Sequence, residues 1–184
     1  MFNFITQLLV LLITVSVTIT VQLCGNQDPQ QTVDQAFIDS GISICGTELD
    51  SLQTFDEPLV KFPAETNTNY TFMMLDIDAP SPSAPIMRSF IHWMVVNALG
   101  GQLEPQSTVH PYISPMPTPG LGAHRYVFMV FEQPKGFTID PNATVLDRNK
   151  FNVAEWVKQN TLFGPVAGNY FLEGNPPNPK FNLA

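Results

Sequence analysis

Two histidines, His92 and His124, open apolar runs rich in β-branched and aromatic residues, HWMVVN and HRYVFMVF. Asp76 and Asp78 close a third such run, in the segment DIDAP. Strand ends and the loops that join them are where a β-scaffold presents functional groups. His124 and Tyr126 are two positions apart, so an extended backbone turns both to one face and Arg125 to the other. An imidazole beside a phenol suits the capture of an anion. A nearby aspartate fixes the imidazole tautomer and supports its charged form, the better donor. Each residue also has an ordinary structural role. A strand-end histidine bonds to backbone, and Tyr126 is a core aromatic with its hydroxyl satisfied. Asp76 and Asp78 form turns, and Arg88 and Arg125 pair with those carboxylates. Spacing alone leaves both roles open. A metal hydrolase is disfavoured, because no short-spaced ligand pair such as H-x-x-x-H occurs and no serine has a nucleophile-elbow context. No enzymatic activity and no cofactor is expected.

The elements that must carry these groups are mostly strands. The chain of 184 residues is long enough for one domain with a core, and 44% hydrophobic against 13% charged content marks it as globular. Seventeen prolines imply many turns and argue against a helical bundle. Tyr70–Leu75, His92–Asn97 and His124–Phe131 read as strands, the first covered on both faces. Tyr112–Gly122, with alternating glycine and proline, reads as a shaped loop. Asn152 with Glu155 predicts a helix start by a capping box, with Phe151 and Trp156 as a hydrophobic staple. Val33–Ile38 reads as a short amphipathic stretch, and the Pro/Asn-rich tail Gly174–Ala184 as irregular. Short strands with one late helix make a mainly-β domain.

Charge narrows the partners. A net charge of −8 and a pI of about 4.6 exclude nucleic acid as an expected partner, since a basic face is needed to displace counterions from phosphates. Any anion bound here must be held by a local set of donors, because the long-range field opposes it. Residues 1–25 carry no charged side chain and Ile5–Val21 is almost wholly apolar, which predicts a secretory signal peptide cut after Thr20 or Gly25. An uncleaved signal anchor is the rival reading. The domain then covers residues 26–184. Asn69-Tyr70-Thr71 and Asn142-Ala143-Thr144 are glycosylation acceptors, in keeping with an extracellular address. Cleavage after Thr20 permits a Cys24–Cys45 bridge, and cleavage after Gly25 leaves Cys45 unpaired.

The segments LDIDAPSPSAP, RSFIHWMVVN and YISPMPTPGLGAHRYVFMVFEQP resemble the phosphatidylethanolamine-binding protein family. Its members carry D-P-D-A-P, a strand opening with histidine, and a G-x-H-R-Y strand after a proline-rich loop. GTELDSLQTFDEP and PVAG extend the likeness over residues 41–173. It implies a large, mostly antiparallel central sheet packed against a smaller one, with one or two peripheral helices. It also implies a pocket for phosphate, acetate or the phosphatidylethanolamine headgroup. Carried over by position, Asp76, His92, His124 and Tyr126 line that pocket. Ala79 and Pro80 form one wall, Met116 and Pro117 another, and Asp78 holds the loop. This sequence departs from the pattern at Ile77, Met87, Phe90, Ile91, Ser114, Thr118 and Leu121, which leaves the inner donors and makes the rim more apolar. The expected function is a secreted, non-enzymatic binding protein for an anionic or amphipathic small ligand, with membrane contact at most peripheral. Inhibition of an extracellular protease is the alternative.

Overall fold

The computed structural model describes residues 18–20, 46–144 and 146–174. Its centre is β4 (Tyr70–Asp76), paired on both edges and buried along its whole length because apolar layers cover both of its faces. β5 (Phe90–Val95) and β7 (His124–Glu132) pair with it antiparallel. All three apolar runs are therefore strands, with β5 starting two residues earlier than its sequence suggests. The side-chain period of two divides β4 between the faces: Phe72 and Met74 enter one apolar layer, Met73 and Leu75 the other.

Three further strands widen the sheet. β6 (Thr108–His110) lies beyond β5, and β8 (Phe163–Glu173) lies beyond β7. β2 (Thr47–Glu48) runs parallel to the end of β8, giving the order β2-β8-β7-β4-β5-β6. A second, two-stranded sheet joins β1 (Thr18–Thr20) to β3 (Leu59–Lys61) in parallel. Val60 and Phe62 pack onto the layer of Phe72, Trp93 and Phe128. β1 falls inside the apolar segment expected to be removed, so cleavage after Thr20 or Gly25 takes from β3 its strand partner.

β8, at 11 residues, is longer than the 9-residue β7, yet its sequence FGPVAGNYFLE does not read as a strand. Gly164 and Pro165 break the pattern, since proline cannot donate to a ladder. The structure accommodates them in a bulge: Val130 pairs with Ala167, but Glu132 pairs with Phe163. Gly164 adopts φ +126 there, a conformation that side chains disfavour.

The opposite face carries α1 (Val153–Gln159), whose Val153 and Trp156 pack with Phe151 against Met73, Leu75, Ile91 and Met129. The Asn152 side chain accepts from Glu155 N at 3.0 Å, and the Phe151 and Trp156 rings lie 6.1 Å apart, as the cap and staple predict. The reciprocal half of the capping box does not form; the Glu155 carboxylate accepts from Gln159. Among the described residues, no helix is long and apolar enough to cross a membrane. Val33–Ile38, Cys24, Cys45 and residues 175–184 lie outside the described residues.

Candidate functional site

Antiparallel pairing brings the ends of β4 and β8 beside the beginnings of β5 and β7. Asp76 therefore stands across from Tyr126 and Phe90, and His124 across from Glu173. His92 reaches the same face through a bulge. Met74 pairs with Trp93 while Leu75 pairs with Ile91, so His92 is the extra residue on β5. Its ring meets the Tyr126 ring edge-on with centroids 5.1 Å apart.

The arginine pairing falls to Asp78, while Asp76 combines the turn-forming role with the orienting of an imidazole. Its Oδ1 accepts from Asp78 N at 2.8 Å, forming the turn, while its Oδ2 lies 2.8 Å from His124 Nδ1. A carboxylate only accepts, so the ionised Asp76 requires the proton on Nδ1. His124 is 3% exposed, and its Nε2 is buried with no hydrogen-bond partner among the described residues. Leaving such an atom unmade costs about 1–3 kcal/mol.

His92 is held differently. Its Nδ1 donates to the Ile113 carbonyl at 2.7 Å. Burial pushes its pKa down, so at neutral pH the ring is uncharged and Nε2 carries a lone pair. The Tyr126 phenol is pushed the other way by burial, reinforced by the Asp76 and Glu173 carboxyls, and stays an O–H donor. Its ring stacks on Phe171 at 5.1 Å, which fixes its direction.

Asp78 and Arg125 form the support beside these groups. Arg125 donates to Asp78 from Nε at 2.8 Å, from NH2 at 2.8 Å and from its backbone N at 2.9 Å. Burial opposes ionisation of Asp78, but Arg125 outweighs it and holds the carboxyl below its ordinary value. Among the described residues Arg88 pairs with no carboxylate, contrary to expectation; its Nε donates to the Ile77 carbonyl. Ile77, standing where the family pattern has proline, uses its N–H to extend the ladder toward Arg125 O at 3.2 Å and buries its side chain in the core. Ala79 is buried beyond this turn and Pro80 is exposed, joined by a cis peptide bond. In the 111–122 loop Pro117 is buried and Met116 is 80% exposed. Ile86, between β4 and β5, and Leu121, before β7, also face solvent.

Sequence reasoning missed three polar members of this end of the sheet. Glu173, at the end of the unrecognised β8, is 1% exposed and accepts from Thr54 Oγ1 at 2.6 Å. Tyr112 donates its hydroxyl to the Thr54 carbonyl. Arg148 donates to the carbonyls of Ile91 at 2.8 Å, His92 at 3.3 Å and Pro111 at 2.9 Å, and so braces the bulge and the loop at once. No periodicity marks these residues, because contacts across more than 35 positions join them to the site. Of the glycosylation acceptors, Asn142 is exposed in a turn and Asn69 is half-buried. Among the described residues no group of three or more His, Cys, Asp or Glu side chains has metal-holding geometry.

Comparison with known proteins agrees with this architecture. Residues 55–171 match the phosphatidylethanolamine-binding protein family profile. The protein MOTHER of FT and TFL1 homolog 2 of Oryza sativa subsp. japonica is 38% identical over 65% of this chain and 68% of its own length. A 26 kDa secreted antigen of Toxocara canis is 30% identical over 82% of this chain, which spans 59% of that protein. Among solved structures, a carboxypeptidase Y inhibitor complexed with its cognate proteinase shares the fold with a TM-score of 0.56, at 24% identity, over 71% of this chain and 76% of that one. The chain belongs to the phosphatidylethanolamine-binding protein family.

Proposed function

We propose that this protein is a secreted, non-enzymatic binding protein for a small anion or the anionic headgroup of an amphipathic ligand, of the phosphate or phosphatidylethanolamine kind. The buried, unpartnered Nε2 of His124 carries the reading. With Nδ1 committed to Asp76, Nε2 offers a lone pair when the ring is neutral and a proton when it is charged. The charged ring donates to an anion, and Asp76 supports that imidazolium. The Tyr126 hydroxyl supplies a second donor and the neutral His92 an acceptor, which suits an oxyanion retaining one hydrogen. Pro117 and the exposed Met116, Ile86 and Leu121 suit an apolar extension of the ligand, with Ala79 and Pro80 on the facing side. Secretion is supported by the uncharged apolar N-terminal segment and the likeness to a secreted antigen.

Titration with inorganic phosphate and with dihexanoyl phosphatidylethanolamine, followed by NMR of the imidazole rings, tests the site. Both His92 and His124 shift as either ligand is added. Unperturbed rings at millimolar ligand overturn the proposal. Inhibition of an extracellular protease is a second reading, favoured by the shared fold of the carboxypeptidase Y inhibitor and by the exposed Leu52 and Phe55. A protease panel assayed with the intact protein separates it from ligand binding.

A further inference from the structure

We infer that Arg148 is a positioning residue of this site: its guanidinium, spread over three backbone carbonyls, locks the His92 ring in the tautomer that carries its proton on Nδ1. The consequence for a ligand rests on the anion-binding reading above. β6 covers β5 only at Met94 and Val95, so the first residues of β5, with the bulge at His92, run on past the end of that strand. The segment 148–151 lies along this stretch instead. Ile91 N donates to the Arg148 carbonyl at 2.8 Å, and Phe151 N donates to the Ser89 carbonyl at 3.2 Å. The Arg148 backbone is thereby fixed beside the bulge, and its side chain reaches across it. NH1 donates to the carbonyls of Ile91 at 2.8 Å and His92 at 3.3 Å, and NH2 to that of Pro111 at 2.9 Å. Among the described residues Arg148 has no ion-pair partner. This half-buried guanidinium is therefore held by backbone carbonyls rather than by a carboxylate.

Those carbonyls belong to the two segments that set the direction of the His92 ring. His92 lies on one, and Ile113, two residues beyond Pro111, lies on the other. Ile113 N donates to the His92 carbonyl at 2.9 Å, and His92 Nδ1 donates to the Ile113 carbonyl at 2.7 Å. Tyr112 anchors the same stretch through its hydroxyl on the Thr54 carbonyl and its ring 5.9 Å from that of Trp93. A carbonyl only accepts, so the placing of Ile113 decides which nitrogen of His92 carries the proton. A free neutral imidazole favours the other choice, Nε2–H. The planar fork of Arg148 spans the bulge and the loop together, which the single point of a lysine ammonium does not. Without the fork, the His92–Ile113 bonds must hold the loop unaided, and the ring gains access to the second tautomer. Nε2 then carries a hydrogen where the anion site uses a lone pair.

Long-range 1H–15N correlation spectra at about pH 8, above the ordinary imidazole range, read each tautomer on ligand-free protein labelled in its histidine rings. In the wild-type protein His92 and His124 both carry the proton on Nδ1. In Arg148→Ala, checked for folding by circular dichroism, His92 shifts to a mixture with Nε2–H, while His124, tied to Asp76, keeps its pattern. Inorganic phosphate binds about tenfold more weakly to that variant, the effect of one lost hydrogen bond to a charged group. Arg148→Lys keeps the charge but not the fork, and gives His92 the same mixture. An unchanged His92 tautomer in folded Arg148→Ala overturns the assignment, and so does a change in both rings, which marks general loosening. A wild-type pattern in Arg148→Lys assigns the effect to charge and overturns the role of the fork. Should the alanine variant not fold, Arg148→Lys decides. An altered tautomer with unchanged phosphate affinity overturns the role in binding. Absence of phosphate binding by the wild-type protein overturns the anion reading itself and leaves the tautomer result standing, since no ligand enters that measurement.

Discussion

Two buried polar clusters sit at opposite ends of β4, and only one is satisfied. At the Tyr70 end, Gln133 accepts at Oε1 from Thr71 Oγ1 at 3.1 Å and from Asn97 N at 2.8 Å. Its Nε2 donates to Asn97 Oδ1 at 2.9 Å and to the Phe137 carbonyl at 3.4 Å. Asn97 continues the network to both the N–H and the carbonyl of Ile139. At the Asp76 end, His124 has one nitrogen held and the other empty-handed. Both clusters lie in surroundings where an unmade hydrogen bond is costly. The saturated one is a structural tie between β4, β5, β7 and the loop after β7. The unsaturated one leaves open the bonding position that the proposed anion site uses. Neither polar burial nor an unfilled valence alone marks a site, since His110 Nε2, Asn149 Oδ1 and Trp156 Nε1 are also buried without a partner among the described residues. His124 differs in having Asp76 on its other nitrogen and the Tyr126 ring stacked beside it.

Breaking the saturated end has the largest effect. Gln133→Leu strands Thr71 Oγ1 and Asn97 N, and costs about 3 kcal/mol in urea denaturation, while phosphate binding by the folded fraction persists. A loss below about 1 kcal/mol removes the contrast between the ends. Asp78→Asn comes next, at about 2 kcal/mol, because it breaks a buried partner of the half-exposed Arg125. Asp78 is held below its ordinary value, so its contribution is present above about pH 4 and is lost as pH falls further. Acid titration of stability is accordingly shallower below pH 4 in the variant. Asp76→Asn sharpens the comparison from the other end. It weakens phosphate binding at least tenfold, about 1.4 kcal/mol, with a smaller change in stability, since an amide does not support an imidazolium. A variant that loses stability but keeps phosphate affinity assigns Asp76 to the turn alone. Asn152→Ala, remote from both ends, costs about 1 kcal/mol in thermal or urea unfolding through the lost helix cap and leaves binding alone.

Local pattern determined much of this protein. The apolar runs ending at Asp76 and starting at His124 were legible as strands because apolar layers cover both faces of the sheet and make most of their positions apolar. The Asn152 cap was legible because its partner is three residues away. That Asp76 and His124 share a pocket followed only from the family resemblance, and which imidazole the carboxylate engages came from the structure, since 48 positions separate the two residues. Tertiary structure alone decided the rest. The bulge that turns His92 beside Tyr126 depends on a register set by β4. β8 was hidden by Gly164 and Pro165, whose interruption is absorbed only when β7 is alongside. Glu173 and Arg148 entered the site with their partners, through contacts that no local periodicity encodes. Sequence placed the donors on strand ends. Register and long-range packing decided which of their hydrogen bonds stay open.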